Sequence, residues 1–534
     1  MSSSRGLIIQ SRIPPEELIP QLHSVSILPS KKSKIYLLMK SHRFGWGIGL
    51  AIVLALTSFS VTAQNVADAL RYSALTYSGT ARYVGVGSSM SAIGADLSVV
   101  NTNPAGIALF RKSEYSFTPA LSINDATSQL VSGQGNGINT DNRTVFNLPN
   151  AGVVFTSRPR SPGWKNINFA LTANQLANFN QQFYFQGSSV GTIAQHFKEV
   201  ANSSVGLNDF ETKLASDASS IYDLQGDGIY DIDYDLSPKA LLNRSQKAIN
   251  KGSMTELGLS FAGNYSDKLM VGLTVGIPFF SFSSDKTYVE QDEQKNGGNV
   301  PYFSDLSYRE KLTTTGSGIN AKLGIIFRPT QVFRLGASIQ TPTAMMMSDT
   351  YTSTLANNYY EDTKETGKFL GQTASSNGNF DYKLKTPWRY SGSAGLVFGK
   401  SGFFSGEVEY VDYSHNHFRY NSFDDAETAV NTDISNQLQS VLNVRLGAEI
   451  AMNILRFRAG VGLTPSPFIN DDTRQYTYSG GIGVREKAWY LDIAYRRLQN
   501  QAQYYPYLTQ RAPIQEVKNS FTNSQFLMTI GLKF

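Results

Sequence analysis

The chain has no cysteine, which removes disulfides, thiolate metal sites and a cysteine nucleophile from consideration. Histidine is scarce as well: the chain has five, and only His196, His415 and His417 lie beyond residue 63. Three histidines leave little for general acid–base catalysis, and no enzymatic activity is expected. Beyond residue 63 no apolar run reaches the roughly 20 residues of a membrane-crossing helix. A helical membrane protein would show several such runs.

The one strongly apolar stretch is Phe44 to Val61, preceded by Lys40, His42 and Arg43 and closed by Val61-Thr62-Ala63. These are the basic, hydrophobic and small-residue regions of a secretory signal peptide. The expected division is an upstream extension over 1–38, a signal peptide over 39–63 and a mature chain from Gln64. Export also changes the charge. Seven of the 47 basic and two of the 42 acidic residues fall in 1–63, leaving 40 of each. The mature chain is neutral, and nucleic-acid binding loses its compositional support.

What is present is glycine and aromatic rings: 45 Gly, 28 Tyr and 31 Phe. Several segments alternate with period two. Leu442, Val444, Leu446, Ala448 and Ile450 share one face, with Asn443, Arg445, Gly447 and Glu449 on the other. Leu455–Leu463, Trp489–Arg496 and Phe333–Gln340 repeat the pattern, Arg456, Arg458, Gly460 and Gly462 lying on the polar face of the first. Successive strand side chains point to opposite faces, so these are half-apolar ribbons.

A soluble sandwich would also alternate. The connections discriminate: six short ones, at 158–165, 264–267, 328–331, 399–402, 451–453 and 485–487, alternate strictly with long segments. The long segments are about 122–149, 176–253, 282–306, 343–379, 414–440, 464–473 and 499–523. Short periplasmic turns, long extracellular loops and an even strand count describe an outer-membrane barrel. Thirteen connections make fourteen antiparallel strands over 114–534, and apolar faces then meet lipid while polar faces line the lumen. The lumenal set Arg445, Glu449, Arg456, Arg458, Asp492 and Arg496 is expected to brace the interior as a mixed-charge network.

Residues 64–113 do not read as barrel. Asn65–Tyr72 suggests a short helix, and Gly79–Ala108 is rich in small residues, ending in Asn103-Pro104-Ala105-Gly106. Small residues allow tight packing and Asn-Pro favours a turn. Such a segment could fit inside the barrel as a plug.

The run Gly79–Ala108, above all Asp96 with Asn103-Pro104-Ala105-Gly106, resembles the hatch of the outer-membrane long-chain fatty-acid transporter (FadL/TodX) family. Gly276-Ile277-Pro278, Thr314–Asn320, Thr341-Pro342-Thr343, Thr386-Pro387-Trp388-Arg389 and Val411-Asp412-Tyr413-Ser414 extend the resemblance along the mature chain. It implies a fourteen-stranded barrel plugged by an N-terminal hatch in the outer membrane of a Gram-negative cell. It further implies passive transport of hydrophobic compounds such as long-chain fatty acids, held in an apolar lumenal pocket and released by hatch rearrangement, sideways through a gap in the wall. Asn103, Pro104, Ala105 and Gly106 would then be hatch and gating residues, although the same residues could simply form a rigid turn that seats the plug.

Phe179, Phe183, Tyr184 and Phe185, at the start of the longest outer loop, and Met345, Met346 and Met347, at the start of another, are candidate ligand contacts. The aromatic set could instead form the upper aromatic girdle, the simpler explanation. Phe526, Met528, Ile530, Leu532 and Phe534 alternate to a terminal Phe, which resembles the signal read by the outer-membrane barrel assembly machinery. Expected partners are therefore hydrophobic small molecules, outer-membrane lipid and that machinery, with the protein a monomer. Asp223, Asp227, Asp231, Asp233 and Asp235 miss the EF-hand spacing and read as a solvated loop. His415-Asn416-His417 could offer imidazoles to a metal or haem, but alternate strand residues diverge. No metal or cofactor is expected. A surface adhesive barrel or a haemin-binding receptor is the alternative function.

Overall fold

In the computed structural model the described residues are 65–534, apart from 134, 293–299, 362–368 and 511–512. The expected upstream extension and signal peptide lie outside them.

Eighteen extended segments form one antiparallel sheet. Four strands are interrupted, so the segments amount to fourteen strands. In order they are β1 (Glu114–Leu130), β2 (Asn139–Ser157), β3 (Trp164–Asn178, continued by Gln181–Val190) and β4 (Leu241–Tyr265). Then come β5 (Leu269–Asp292), β6 (Phe303–Phe327), β7 (Phe333–Gln340, continued by Ala344–Tyr360) and β8 (Phe369–Lys385, continued by Arg389–Val397). The last six are β9 (Gly402–Asp412, continued by His417–Tyr420), β10 (Ser440–Met452), β11 (Leu455–Pro465), β12 (Arg474–Arg485), β13 (Trp489–Tyr504) and β14 (Val517–Lys533). The sheet closes where β1 pairs with β14, from Glu114↔Lys533 to Leu130↔Val517. Closure leaves no edge to be satisfied in lipid. Two of the interruptions fall at Pro342 and Pro387, whose nitrogens cannot donate to a ladder.

The outer wall follows the alternation. Leu442, Leu446 and Ile450 are exposed while Asn443, Gly447 and Glu449 are buried, and the same holds along β11 and β13. Phe155, Phe327, Phe398 and Phe534 form exposed rings near the short-turn end, where an aromatic girdle meets the interface.

All six short connections occur where expected. The long ones differ. The expected loop 122–149 is almost wholly strand, with only 131–138 between β1 and β2. The expected loops 282–306 and 343–379 are likewise mostly β5, β6, β7 and β8. The reason is physical: a strand crosses lipid in about 9–11 residues, whereas β4 and β6 run for 25. Above the membrane neither face needs to be apolar, so the period-two signal disappears although the ladder continues.

The segment 191–240 folds over the outer end as α3 (Ile193–Ala201), α4 (Thr212–Asp217) and a short 3-10 turn at Asp233–Leu236. Phe197, Leu214, Ile221, Leu242, Leu306, Leu355 and Tyr507 make its apolar core. Beneath it Arg244, fully buried, meets Glu290, Tyr288 and Tyr507 and donates to the carbonyls of Ser189 and Gly191. Glu290 also accepts from the Ile193 N–H at the start of α3, where the helix dipole favours a negative charge.

Candidate functional site: the plugged lumen and its wall

The N-terminal segment folds into short elements, each fixed by a local cap. In α1 (Val66–Ser73) Asn65 and Asp68 form a reciprocal capping box. In α2 (Ala81–Gly85) the Thr80 hydroxyl accepts from Tyr83 N–H and donates to Asp96 at 2.7 Å. Asp96 itself caps a 3-10 turn at Leu97–Asn101, and Asn103 caps a second at Pro104–Leu109, with Pro104 at the first helical position. Gly94 has φ +66° and lies against the Gly106 carbonyl, so a side chain there would fail on both counts.

These elements sit inside the barrel with their backbone directly on the wall. A Cβ on Gly447 would overlap the Val86 carbonyl, and one on Gly460 the backbone of Gly87. On the opposite side Gly272 receives Pro104 and Ala105, and Gly324 receives Asn103. The Asn103 amide donates to Ser91 O at 3.0 Å and to Ile325 O on β6 at 3.1 Å. Ala105 and Gly106 are buried in the same turn. The four hatch-and-gating candidates thus come together against β5 and β6, toward the short-turn end.

Charge clamps the segment to the other half of the barrel. Glu449 accepts from Arg82 of α2 at 3.1 Å and from Arg458 at 2.6 Å. Arg458 reaches Asp492 at 2.7 Å, and Arg485 reaches the same carboxylate at 3.2 Å. Glu409 accepts from Tyr77 at 2.9 Å and pairs with Arg389 and Arg445. Arg389 also donates to the Ser73 carbonyl, and Arg496 to the Tyr77 carbonyl at 2.9 Å. Of the lumenal set read from alternation, Arg445 joins a cluster with Glu407, Glu409 and Arg389, and Glu449, Arg458 and Asp492 form a second with Arg82 and Arg485. Among the described residues Arg456 and Arg496 donate to backbone carbonyls alone. Alternation does not reveal that Arg82 joins the second cluster, or that Tyr77, Glu409 and Glu407, the last 3.4 Å from Arg445, belong to the first.

Between β2 and β3 the wall is discontinuous. The β2–β3 ladder ends at Asn150↔Asn174, and above it 139–149 and 181–190 share no ladder among the described residues. Only side chains cross, such as Asn147 to Gln175 at 3.4 Å and Gln182 to Asp141 at 2.8 Å. β3 breaks at Phe179-Asn180. Just below that break the N-terminal segment hydrogen-bonds to β3 through Thr76 N to Leu176 O (2.9 Å) and Ser78 N to Gln175 O (3.2 Å). Behind the discontinuity is a cavity of about 260 Å³, bordered by Arg71, Gln175, Phe179, Phe282, Arg496 and Asn523.

Phe183, Tyr184, Phe185 and the three methionines lie on strands, not in exposed loops, and Phe179 lies in the break of β3. Alternation separates them. Phe183 turns inward onto Tyr504 and Phe521 with ring centroids 5.2 and 6.2 Å away, Phe185 is fully buried, and Tyr184 is half-buried. The two inward rings are therefore not an interfacial girdle. Met345 and Met347 face inward and Met346 outward. Phe179 alone belongs to the cavity, edge-on to Tyr72 of α1 at 5.9 Å and to Phe282 at 5.7 Å. Phe280 completes the group, 4.9 Å from Tyr72. The alternation of Phe280 and Phe282 could have placed both in the lumen. Their partner on α1 could not be read that way. His415 lies in a turn 3.1 Å from Asp412, and His417 is on the following strand.

A closed fourteen-stranded barrel with an apolar outer wall and a filled lumen is the architecture of an outer-membrane β-barrel. No protein-family model and no curated protein sequence matches the chain. Among solved structures the chain is similar to a Pseudomonas aeruginosa FadL homologue, with a TM-score of 0.50 and 14% identity over 86% of this chain and 99% of that one. It is also similar to the P. putida toluene transporter TodX, with a TM-score of 0.49 and 12% identity over 85% and 98%. The chain has the FadL-type fold.

Proposed function

We propose that the protein carries hydrophobic small molecules passively across the outer membrane, long-chain fatty acids among them. Residues 64–113 act as a hatch, and the exit lies sideways between β2 and β3. The observation that carries this reading is the missing ladder above Asn150↔Asn174, at the point where the N-terminal segment hydrogen-bonds to β3. A ligand among Tyr72, Phe179, Phe280 and Phe282 touches the hatch, the strand break and β5 together. A hatch shift that breaks the Thr76 and Ser78 bonds would free that stretch of β3. Asn103, Pro104, Ala105 and Gly106 are the seat about which the hatch moves. The protein works as a monomer, and nothing in the arrangement of His415 and His417 favours a haemin receptor.

The test is uptake of fatty acids and monoaromatic hydrocarbons into liposomes holding the mature protein. Because the chain lacks cysteine, Asn147→Cys with Gln175→Cys can be bridged across the seam by a short bis-maleimide. Bridging is expected to abolish uptake while each single variant transports normally. Full transport through the bridged protein would refute the lateral exit. Asn103→Ala combined with Pro104→Ala is expected to alter the uptake rate, and an unchanged rate would remove those residues from gating.

A further inference from the structure

The two ends of the molecule differ in charge. The six short turns together hold six basic residues, Arg158, Arg160, Lys268, Arg328, Lys400 and Lys487, against Asp267 and Glu486. The outer segment 191–240 holds nine acidic and three basic residues, the reverse balance. At the short-turn end, beneath Ile93-Gly94-Ala95 of the N-terminal segment, is a cavity of about 690 Å³. Arg82, Arg334, Lys400, Arg456 and Arg485 border it, and Glu449 is its one acidic residue.

Glu449 is already engaged by Arg82 and Arg458, and Arg485 by Asp492. Arg334 and Arg456 have no carboxylate within 4.0 Å among the described residues. Arg334 donates Nη1 to the Ile93 carbonyl at 2.7 Å, and its Nε is buried without a partner. Arg456 donates Nη1 to the carbonyls of Asn453 and Leu455, each at 2.7 Å. Higher in the lumen the arginines of the network meet carboxylates, as Arg389 and Arg445 do at Glu409. The positive charge here has no such answer within the protein. Like charges crowded at low dielectric repel, and a buried guanidinium N–H left unmade is costly.

We propose that this cavity binds a phosphate group, with Arg334 and Arg456 as its two principal ligands and Lys400 at its mouth. Guanidinium forks match tetrahedral oxyanions through paired hydrogen bonds, and an added dianion neutralises the excess. The group comes either from a phospholipid headgroup at the inner rim or from a free phosphate. It requires only that the short turns face inward, so it stands or falls apart from the transport reading.

The experiment uses the mature protein in a zwitterionic detergent lacking phosphate. One arm follows inorganic phosphate by ³¹P line broadening. The other follows retention of phosphatidylglycerol against a neutral diacylglycerol in native mass spectrometry. Binding in the first arm alone identifies a free anion, and in the second a headgroup. Arg334→Gln with Arg456→Gln is expected to weaken whichever is bound at least about fivefold. Arg309→Gln, in a surface pair with Asp285, is expected to leave it unchanged. Lys400→Gln alters an exposed turn residue and should weaken binding about twofold; it decides the matter should the double variant not assemble. No binding in either arm, or binding that these variants leave intact, overturns the site.

Discussion

Gly447 and Gly460 carry more of the design than their size suggests. Alternation places both on the lumenal face, but it cannot say that another backbone rests there, since a small residue in a strand leaves no positive mark of its neighbour. Gly460→Val would drive a branched side chain into the backbone at Gly87. Overpacking of this kind costs about 1–3 kcal/mol. The expected outcome is a barrel that still assembles but has a displaced plug, seen as higher conductance in planar bilayers and a lower unfolding midpoint. Unchanged conductance would mean that the plug is held elsewhere. Glu449 is the second residue to test. Its partners Arg82 and Arg458 are 367 and nine positions away in sequence; the nearer is suggested by strand pairing, the farther by nothing short of the fold. Glu449→Ala would leave buried Arg82 without a carboxylate and Arg458 with Asp492 alone, a loss of about 3–5 kcal/mol. The barrel should then unfold at markedly lower denaturant concentration, with Arg82→Gln added on top costing less than it does alone. Additive losses would place Arg82 outside the network.

At the level of elements, the short turns and the lipid-crossing parts of the strands were legible because lipid imposes period two. The upper halves of β1, β2, β5, β6, β7 and β8 were not, because water outside and packed loops inside impose no alternation. The same absence hid the cap. His196 of α3 shows how the cap is fastened: Nδ1 meets the Leu508 carbonyl at 2.8 Å and Nε2 meets Glu211 at 2.8 Å. Both partners are acceptors, so both ring nitrogens carry protons. Burial alone would favour the neutral ring, but the hydrogen bond and charge of Glu211 hold the pKa above the ordinary histidine value. Burial would raise Glu211, but His196 holds it below the ordinary carboxylate value. A raised folded pKa gives stability that is fully present below about pH 6.5 and is lost as pH rises through the folded value. For Glu211 the contribution is present above about pH 4.3 and is lost as pH falls through its lowered value. The bridge is therefore strongest in mildly acidic solution. Amide protection factors in 193–201 and around 508 should fall between pH 6 and pH 8.5, and His196→Gln should flatten the change. Equal protection at both pH values in the native protein would rule the bridge out as a fastening.

For the molecule as a whole, closure depends on the last strand, and here the sequence was most readable: Phe526, Met528, Ile530 and Leu532 face outward on β14, and Phe534 follows them exposed. β14 pairs along its length with both β13 and β1, so the barrel is not finished until the final residues are placed. Phe534 itself adds little to the finished wall. It is 67% exposed, donates its N–H to Ser113 O at 3.0 Å and meets Phe155 edge-on at 6.4 Å. One aromatic contact of this kind contributes about 0.5–1.5 kcal/mol. An ordinary closing strand and an assembly signal therefore make different predictions for removal of Phe534. If the residue only packs, the amount of assembled protein and its unfolding midpoint should fall slightly and together. If the assembly machinery reads it, the heat-modifiable fraction in cells should drop severalfold while the midpoint of the protein that does assemble shifts by only a few degrees. Restoring Tyr or Trp at position 534 should recover most of the assembled fraction, because a large outward ring is kept, whereas Asp should not. A proportional loss of yield and midpoint would return the terminal strand to a purely structural role.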